Sequence, residues 1–255
     1  MKKTPLAITL SMIIGGSLMA TPMDITVADG QFGNGAAGPW VGTSGLGAAH
    51  EDNETEPRTI TGDQWDVEAF VYDPSITTLS LIGTYDFKNG QDYHNVNYSS
   101  GAIFVRGDGS PSWTYAYVLD FNDNSYKLYD NFTTINPSDV PASTPWTINT
   151  ATANMLGTGS FTYSADVTDP FGLGLQRADG GTGHNEIDLG LGLLPGTLLD
   201  NFDTHWTISC GNDEIQGHYQ SVPDGGATAL LLGFGMFGLV FARRAFLDRK
   251  SAPCA

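Results

Sequence analysis

The chain has 255 residues, with 28 acidic against 11 basic side chains and a formal charge of −17. An acidity of that size repels polyanions, which removes nucleic acid and anionic lipid surfaces as partners. Two cysteines, Cys210 and Cys254, are too few for a disulfide framework, so stability has to come from an apolar core.

The elements follow in chain order. Lys2 and Lys3 precede an uncharged apolar run over 6–19 and a small residue, Ala20. This pattern predicts a signal peptide over 1–20, read by the Sec translocon. Residues 21–57 predict an irregular arm: 30–49 are rich in glycine without a period, and Glu51, Asp52, Glu54 and Glu56 follow as a hydrated, poorly ordered acidic stretch.

From 58 to 221 the chain reads as strands. Val67, Ala69 and Val71 alternate with Glu68, Phe70 and Tyr72. The same period of two runs through Leu79/Leu81, Tyr115/Tyr117/Leu119, Tyr126/Leu128, Phe161/Tyr163, Ile187/Leu189/Leu191 and Trp206/Ile208/Cys210. Asp73-Pro74, Asn89-Gly90, Asn122-Asp123-Asn124, Asp169-Pro170 and Gly180-Gly181 punctuate the runs as turns. Short strands with no helix and no fixed repeat predict an all-β fold, an antiparallel β-sandwich or jelly roll. Two of the 28 acids, Asp224 and Asp248, lie beyond residue 221, and six of the 11 basic residues lie outside 21–221. That stretch therefore holds 26 acids against five bases.

Enzyme signatures are missing. His50 has no second histidine four residues on, and no nucleophile elbow, phosphate loop or paired-cysteine motif occurs. Asp66 and Glu68 stand two apart, too local to flank a scissile bond from both sides, and read as solvated charge. His184, His205 and His218 with Glu186 or Asp188 form no recognisable metal spacing. Asp120-Phe121-Asn122-Asp123-Asn124 begins like a calcium loop, but Ser125 and Asn131 occupy the positions that need Gly and Glu, so it reads as a hairpin turn. A looser Ca²⁺ site remains open in the acidic arm, at Glu51, Asp52, Glu54 and Glu56. Trp113, after Gly-Ser-Pro, and Trp146, after Pro145, are the aromatics expected at the surface, where they could stack on sugar rings. Trp206 is expected in the core.

The tail carries the most information. Val222-Pro223-Asp224-Gly225-Gly226 is an adaptable peptide; Pro223 fixes φ and the glycines permit conformations closed to other residues. An uncharged apolar run over 227–242 follows, roughly 24 Å long as a helix and thus at the short edge of a bilayer span. Arg243 and Arg244 end it as a cytoplasmic stop. This order of turn motif, short helix and arginine pair resembles the PEP-CTERM class of bacterial sorting tails, and within it the VPDSG-CTERM variant, with Gly225 where that motif has Ser. The resemblance implies a C-terminal sorting signal over 222–255 with one temporary transmembrane helix. It also implies processing by an exosortase-like membrane protease or transpeptidase, and delivery to the surface of a Gram-negative-type bacterium.

A second likeness lies in Glu51–Pro57, Gln64–Phe70, Tyr85–Gly90, Ser100–Phe104, Gly183–Asp188 and His205–Asp213. Together these stretches resemble a recurrent ectodomain of PEP-CTERM-type proteins; the likeness carries fold and location but no catalytic residue. The expectation is thus a non-enzymatic exported protein with a structural or adhesive role, linked to exopolysaccharide or biofilm. A Ca²⁺-assisted carbohydrate-binding module is the alternative, and a surface hydrolase comes third.

Overall fold

A computed structural model describes residues 21–27, 46–56, 59–140 and 143–221. The chain divides into two compact units, Met1–Tyr219 and Gln220–Ala255. Of the second, only Gln220 and Ser221 are among the described residues, so the tail motif, the 227–242 run and Arg243–Arg244 lie outside them, as does the 1–20 signal segment. Among the described residues no helix is long and apolar enough to cross a membrane.

The strands are β1 (Met23–Asp24), β2 (Thr26–Val27), β3 (Val67–Asp73), β4 (Thr78–Gly83), β5 (Gln91–Tyr93), β6 (Val96–Tyr98), β7 (Ile103–Gly107), β8 (Tyr115–Asp120), β9 (Ser125–Asp130), β10 (Thr134–Ile135), β11 (Thr147–Ile148), β12 (Asn154–Thr168), β13 (Gly183–Gly190), β14 (Asn201–Thr207) and β15 (Glu214–Gln220). Two short 3₁₀ turns, Ala48–His50 and Asp63–Trp65, are the only helical pieces among the described residues. Eleven strands form one sheet in the order β1-β3-β4-β13-β12-β9-β8-β7-β14-β15-β2; β5-β6 and β10-β11 are separate hairpins.

The all-β, antiparallel expectation holds, but two facing sheets give way to a single one curled nearly into a barrel. Two devices connect its halves. Strand β12 is long and shared: Asn154–Ser160 pair with β9 and Phe161–Thr168 with β13, with register shifts at Met155/Gly157 and Ser164/Val167. Such bulges bend and twist a strand, letting one element turn the corner. At the other seam Ile25 donates its N–H to the Phe70 carbonyl (2.9 Å) and accepts from the His218 N–H (2.8 Å), so one buried residue is bonded to both sheet edges. Closure removes the exposed edges that an open sheet presents.

A single core fills the interior. It takes Phe70, Tyr72, Leu79, Leu81, Ile187 and Leu189 from one half, and Ile103, Val105, Tyr117, Leu128, Phe202 and Trp206 from the other. Tyr72 meets Phe202 at 5.1 Å between ring centroids, and Tyr85 meets Trp206 at 5.6 Å, so aromatic contacts tie the halves together. Trp206 and Cys210 are buried, as their alternation predicts.

Strand β3 departs from simple alternation. A register shift between Val67 and Ala69 turns Val67 to the same interior as Phe70 and Tyr72, while Ala69 and Val71 pack with Ala48, Ile82 and Leu175 on the outer side. Both faces of β3 are therefore covered. The outer cover includes residues 46–56, which the sequence reads as a hydrated arm. Glu51, Glu54 and Glu56 are buried, a correction with a plain cause: this stretch is clasped by hydrogen bonds on two sides. Asn53 Nδ2 donates to the Gln176 carbonyl (3.0 Å) and Gln176 N–H to Asp52 Oδ1 (3.1 Å). Glu56 N–H donates to the Asn212 carbonyl (3.0 Å).

Candidate functional site

Under this cover the structure gathers acids from three separated stretches. Asp66 and Glu68 enter at the head of β3, and Asp213 from the turn between β14 and β15; all three are fully buried. Asp66 and Glu68 correct the solvated-charge reading. Their strand is apolar at both parities, so Glu68 has no wet face to occupy.

Local structure fixes each of them. Gly83 permits the close approach of β4 to β3: a Cβ there would stand 2.7 Å from the Asp66 carbonyl oxygen and 2.8 Å from Val67 Cα. That carbonyl accepts the N–H groups of Thr84 (3.0 Å) and Tyr85 (3.1 Å), and the Thr84 hydroxyl donates to the Asp63 carbonyl. Gly211, at φ +73°, turns the chain where a side chain would strike the Val140 carbonyl, and so aims Asp213 inward. Asp213 Oδ2 accepts the Val67 N–H at 2.6 Å, supplying a partner for the backbone amide at the β3 bulge. Asn212 accepts from the Ile60 N–H (3.0 Å) and donates to its carbonyl (2.8 Å), locking that turn to the stretch that leads into β3.

The electrostatics are one-sided. Desolvation, then the Glu68 charge beside it, holds Asp66 well above the usual carboxylate range. Glu68 is raised chiefly by burial. Asp213 is raised by burial and then by Glu54, Asp66 and Glu51. All four carboxylate oxygens of Asp66 and Glu68 are buried without a hydrogen-bond partner. Positive charge is scarce. His184 Nε2 lies 3.1 Å from Glu68 Oε2, but burial lowers its pKa, which favours the neutral ring. Arg177 stands toward Glu68 but is engaged by Asp179 at 2.6 Å and Asp63 at 3.8 Å. Asp63 also accepts the N–H groups of Ala178 and Asp179, both at 3.0 Å.

Of the arm residues expected to hold Ca²⁺, Glu51 and Glu54 add their charge to the field at Asp213, and Asp52 adds its own at Asp66 and Glu68. Glu56 is buried, with its backbone tied to Asn212. Sequence reasoning missed Asp213 as a member; only the Gly211 turn hints at an inward-facing acid.

The histidines do not converge. His184 faces Glu68. His205 Nε2 bonds the Pro145 carbonyl at 3.0 Å, and burial brings its pKa down to about 4. His218 Nδ1 lies 2.9 Å from Asp203 Oδ1. Among the described residues, Asp108, Asp203 and His218 are the set whose ligand atoms all lie within 4.8 Å. Arg106 already occupies Asp203 Oδ2 at 3.0 Å, so a cation is built in there. Glu186 and Asp188 stay on β13, where Asp188 accepts the Ser80 hydroxyl. The Asn122–Asn124 stretch forms the β8–β9 hairpin turn, with Asn124 at φ +55° and Asp120 Oδ1 accepting the Asn122 N–H.

Trp113 and Trp146 are half-buried. The Arg106 guanidinium sits 4.3 Å from the Trp113 ring centroid, and the His205 ring lies at 5.4 Å. Trp146 donates Nε1–H to the Ser100 carbonyl (3.4 Å), while its own carbonyl accepts the Ala102 N–H (2.9 Å). Both rings are thus engaged by their own fold.

With the β fold in place, comparison defines the tail. Residues 221–246 match the family model of the VPDSG-CTERM motif. This is a C-terminal sorting signal of PEP-CTERM/VPDSG-CTERM type, which implies exosortase-type processing and marks a secreted, surface-sorted protein. No curated protein and no solved structure matches the chain.

Proposed function

We propose that the chain is a non-enzymatic structural or adhesive protein of the bacterial surface or exopolysaccharide matrix. In this reading Sec exports it by way of residues 1–20, and the 227–242 helix holds it in the inner membrane of a Gram-negative-type envelope. An exosortase-like enzyme then cuts within 222–226. The observation that carries this reading is the VPDSG-CTERM match at 221–246, which begins where the last strand, β15, ends. The acidic exported region suits a protein that must stay dispersed in a crowded, hydrated layer.

A sugar-binding role is favoured by one feature, a cavity of about 240 Å³ lined by Trp65, Tyr93, Tyr98 and Asp139. Retention on immobilised glycans tests that second reading.

The test of the first is intact mass and cell fraction of the native protein beside a Pro223→Ala/Asp224→Ala double variant. The expected result is a wild-type chain that has lost both termini and sits at the surface or in the medium, with the variant retained uncut in the inner membrane. A variant of normal mature size would overturn it.

A further inference from the structure

The buried acids ask a question that sorting does not answer. Asp66, Glu68 and Asp213 have no exposure; Asp213 accepts the N–H of Val67, the residue between Asp66 and Glu68, and residues 46–56 cover this strand. A buried carboxylate is costly unless paired, and a protonated one needs an acceptor for its hydrogen. Both oxygens of Asp66 and both of Glu68 are buried without a hydrogen-bond partner. On Asp213, Oδ2 is pinned to Val67, and Oδ1 is buried without a hydrogen-bond partner. The charges acting on Asp213 come from Glu54, Asp66 and Glu51, all acids. Arg177 acts on the Glu68 side, where Asp63 and Asp179 already hold it.

We propose that Asp66, Glu68 and Asp213 are side-chain ligands of a buried Ca²⁺ ion beneath residues 46–56. The ligand set selects the metal. Asp66 and Asp213 offer only oxygen, with no thiolate or imidazole on their side, which suits a hard cation. The three carboxylates are more widely spaced than the Asp108/Asp203/His218 set. Binding must therefore draw them inward, since two ligands of one Ca²⁺ at about 2.3–2.6 Å stand no more than about 5 Å apart; its six to eight places also take main-chain carbonyls and water, whereas Mg²⁺ demands a small, near-ideal octahedron. The Asp108/Asp203/His218 cluster is not the site, because Arg106 already neutralises Asp203. The proposal is independent of how the tail is cut.

The experiment uses the full chain in detergent, stripped with EGTA and titrated with Ca²⁺, and separately with Tb³⁺ as a luminescent substitute excited through tryptophan. Trp65, next to Asp66 and itself buried, is the expected sensitiser. The expected result is one saturable, EGTA-reversible rise in thermal midpoint. Sensitised Tb³⁺ emission should appear with it and be displaced by Ca²⁺. Asp66→Asn and Asp213→Asn should each weaken binding at least about tenfold, whereas Asp203→Asn leaves it unchanged. Trp65→Phe should dim the emission while the Ca²⁺-induced shift persists, a readout that does not require changing a ligand. A midpoint indifferent to Ca²⁺ and chelator overturns the proposal. So does weak, unsaturable binding that none of the ligand substitutions alters.

Discussion

Asp203, within β14, and Asp213, in the turn from β14 to β15, stand in opposite electrostatic settings. Asp203 has Arg106 on one oxygen and His218 on the other, and the group remains partly open to water. Asp213 is closed off among acids, with one backbone N–H as its partner among the described residues. The first is an ion pair completed by the chain itself. The second is a demand for charge that the chain places inside and, at the proposed site, leaves to an ion. Counting carboxylates cannot separate the two; what surrounds each one does.

The largest effect that sharpens this contrast is a change of sign. In chelator at pH 8, Asp66→Asn removes a desolvated acid and gives Glu68 an amide N–H, and should stabilise the fold by about 2–3 kcal/mol in urea unfolding. In saturating Ca²⁺ the same substitution should destabilise it. Destabilisation in both buffers would erase the distinction between the clusters.

Next in size is Glu186, raised to about 7 by burial and by Asp188. Its carboxyl ionises at 4.5 in the unfolded chain, so the folded state binds the proton more tightly. The stability this confers is fully present below about pH 4.5 and is lost as pH rises toward 7. Glu186→Gln should remove about 1–2 kcal/mol of that decline, read as the difference between wild-type and variant stability across the window.

The smallest effect belongs to the self-sufficient pair. Asp203→Asn should cost about 1 kcal/mol or less, and less still in high salt. A larger loss than any change at Asp66 would invert the comparison.

Much of the fold was legible. Period-two runs such as Leu79/Leu81 and Ile187/Leu189/Leu191 mark interior faces directly, because pleating sends alternate side chains to opposite sides. Curling into one sheet was not legible. It depends on β1 and β2, each two residues long, and on β12 bending at bulges, and neither leaves a periodic trace.

The acid site was half legible. Val67-Glu68-Ala69-Phe70-Val71-Tyr72 is apolar at both parities, which already implies two covered faces and an inward Glu68. The partnership with Asp213 is non-local, created by Gly83 and Gly211 at turns that sequence marks only as turns. The sorting motif needed no fold at all, since a processing peptide is recognised as local sequence.

The seam at Ile25 has a mechanical consequence. Thr26 pairs with Gly217 and Val27 with Gln216, so the incoming end of β2 lies beside the outgoing end of β15. Tension applied between residue 21 and Gln220 loads the short β1–β3 pairing and then these hydrogen bonds one after another, as a zipper, instead of all together in shear. The seam is then the first part to yield under drag, while the strands around the core stay paired. A domain built this way gives at one fixed line and can reclose along it when the load is released.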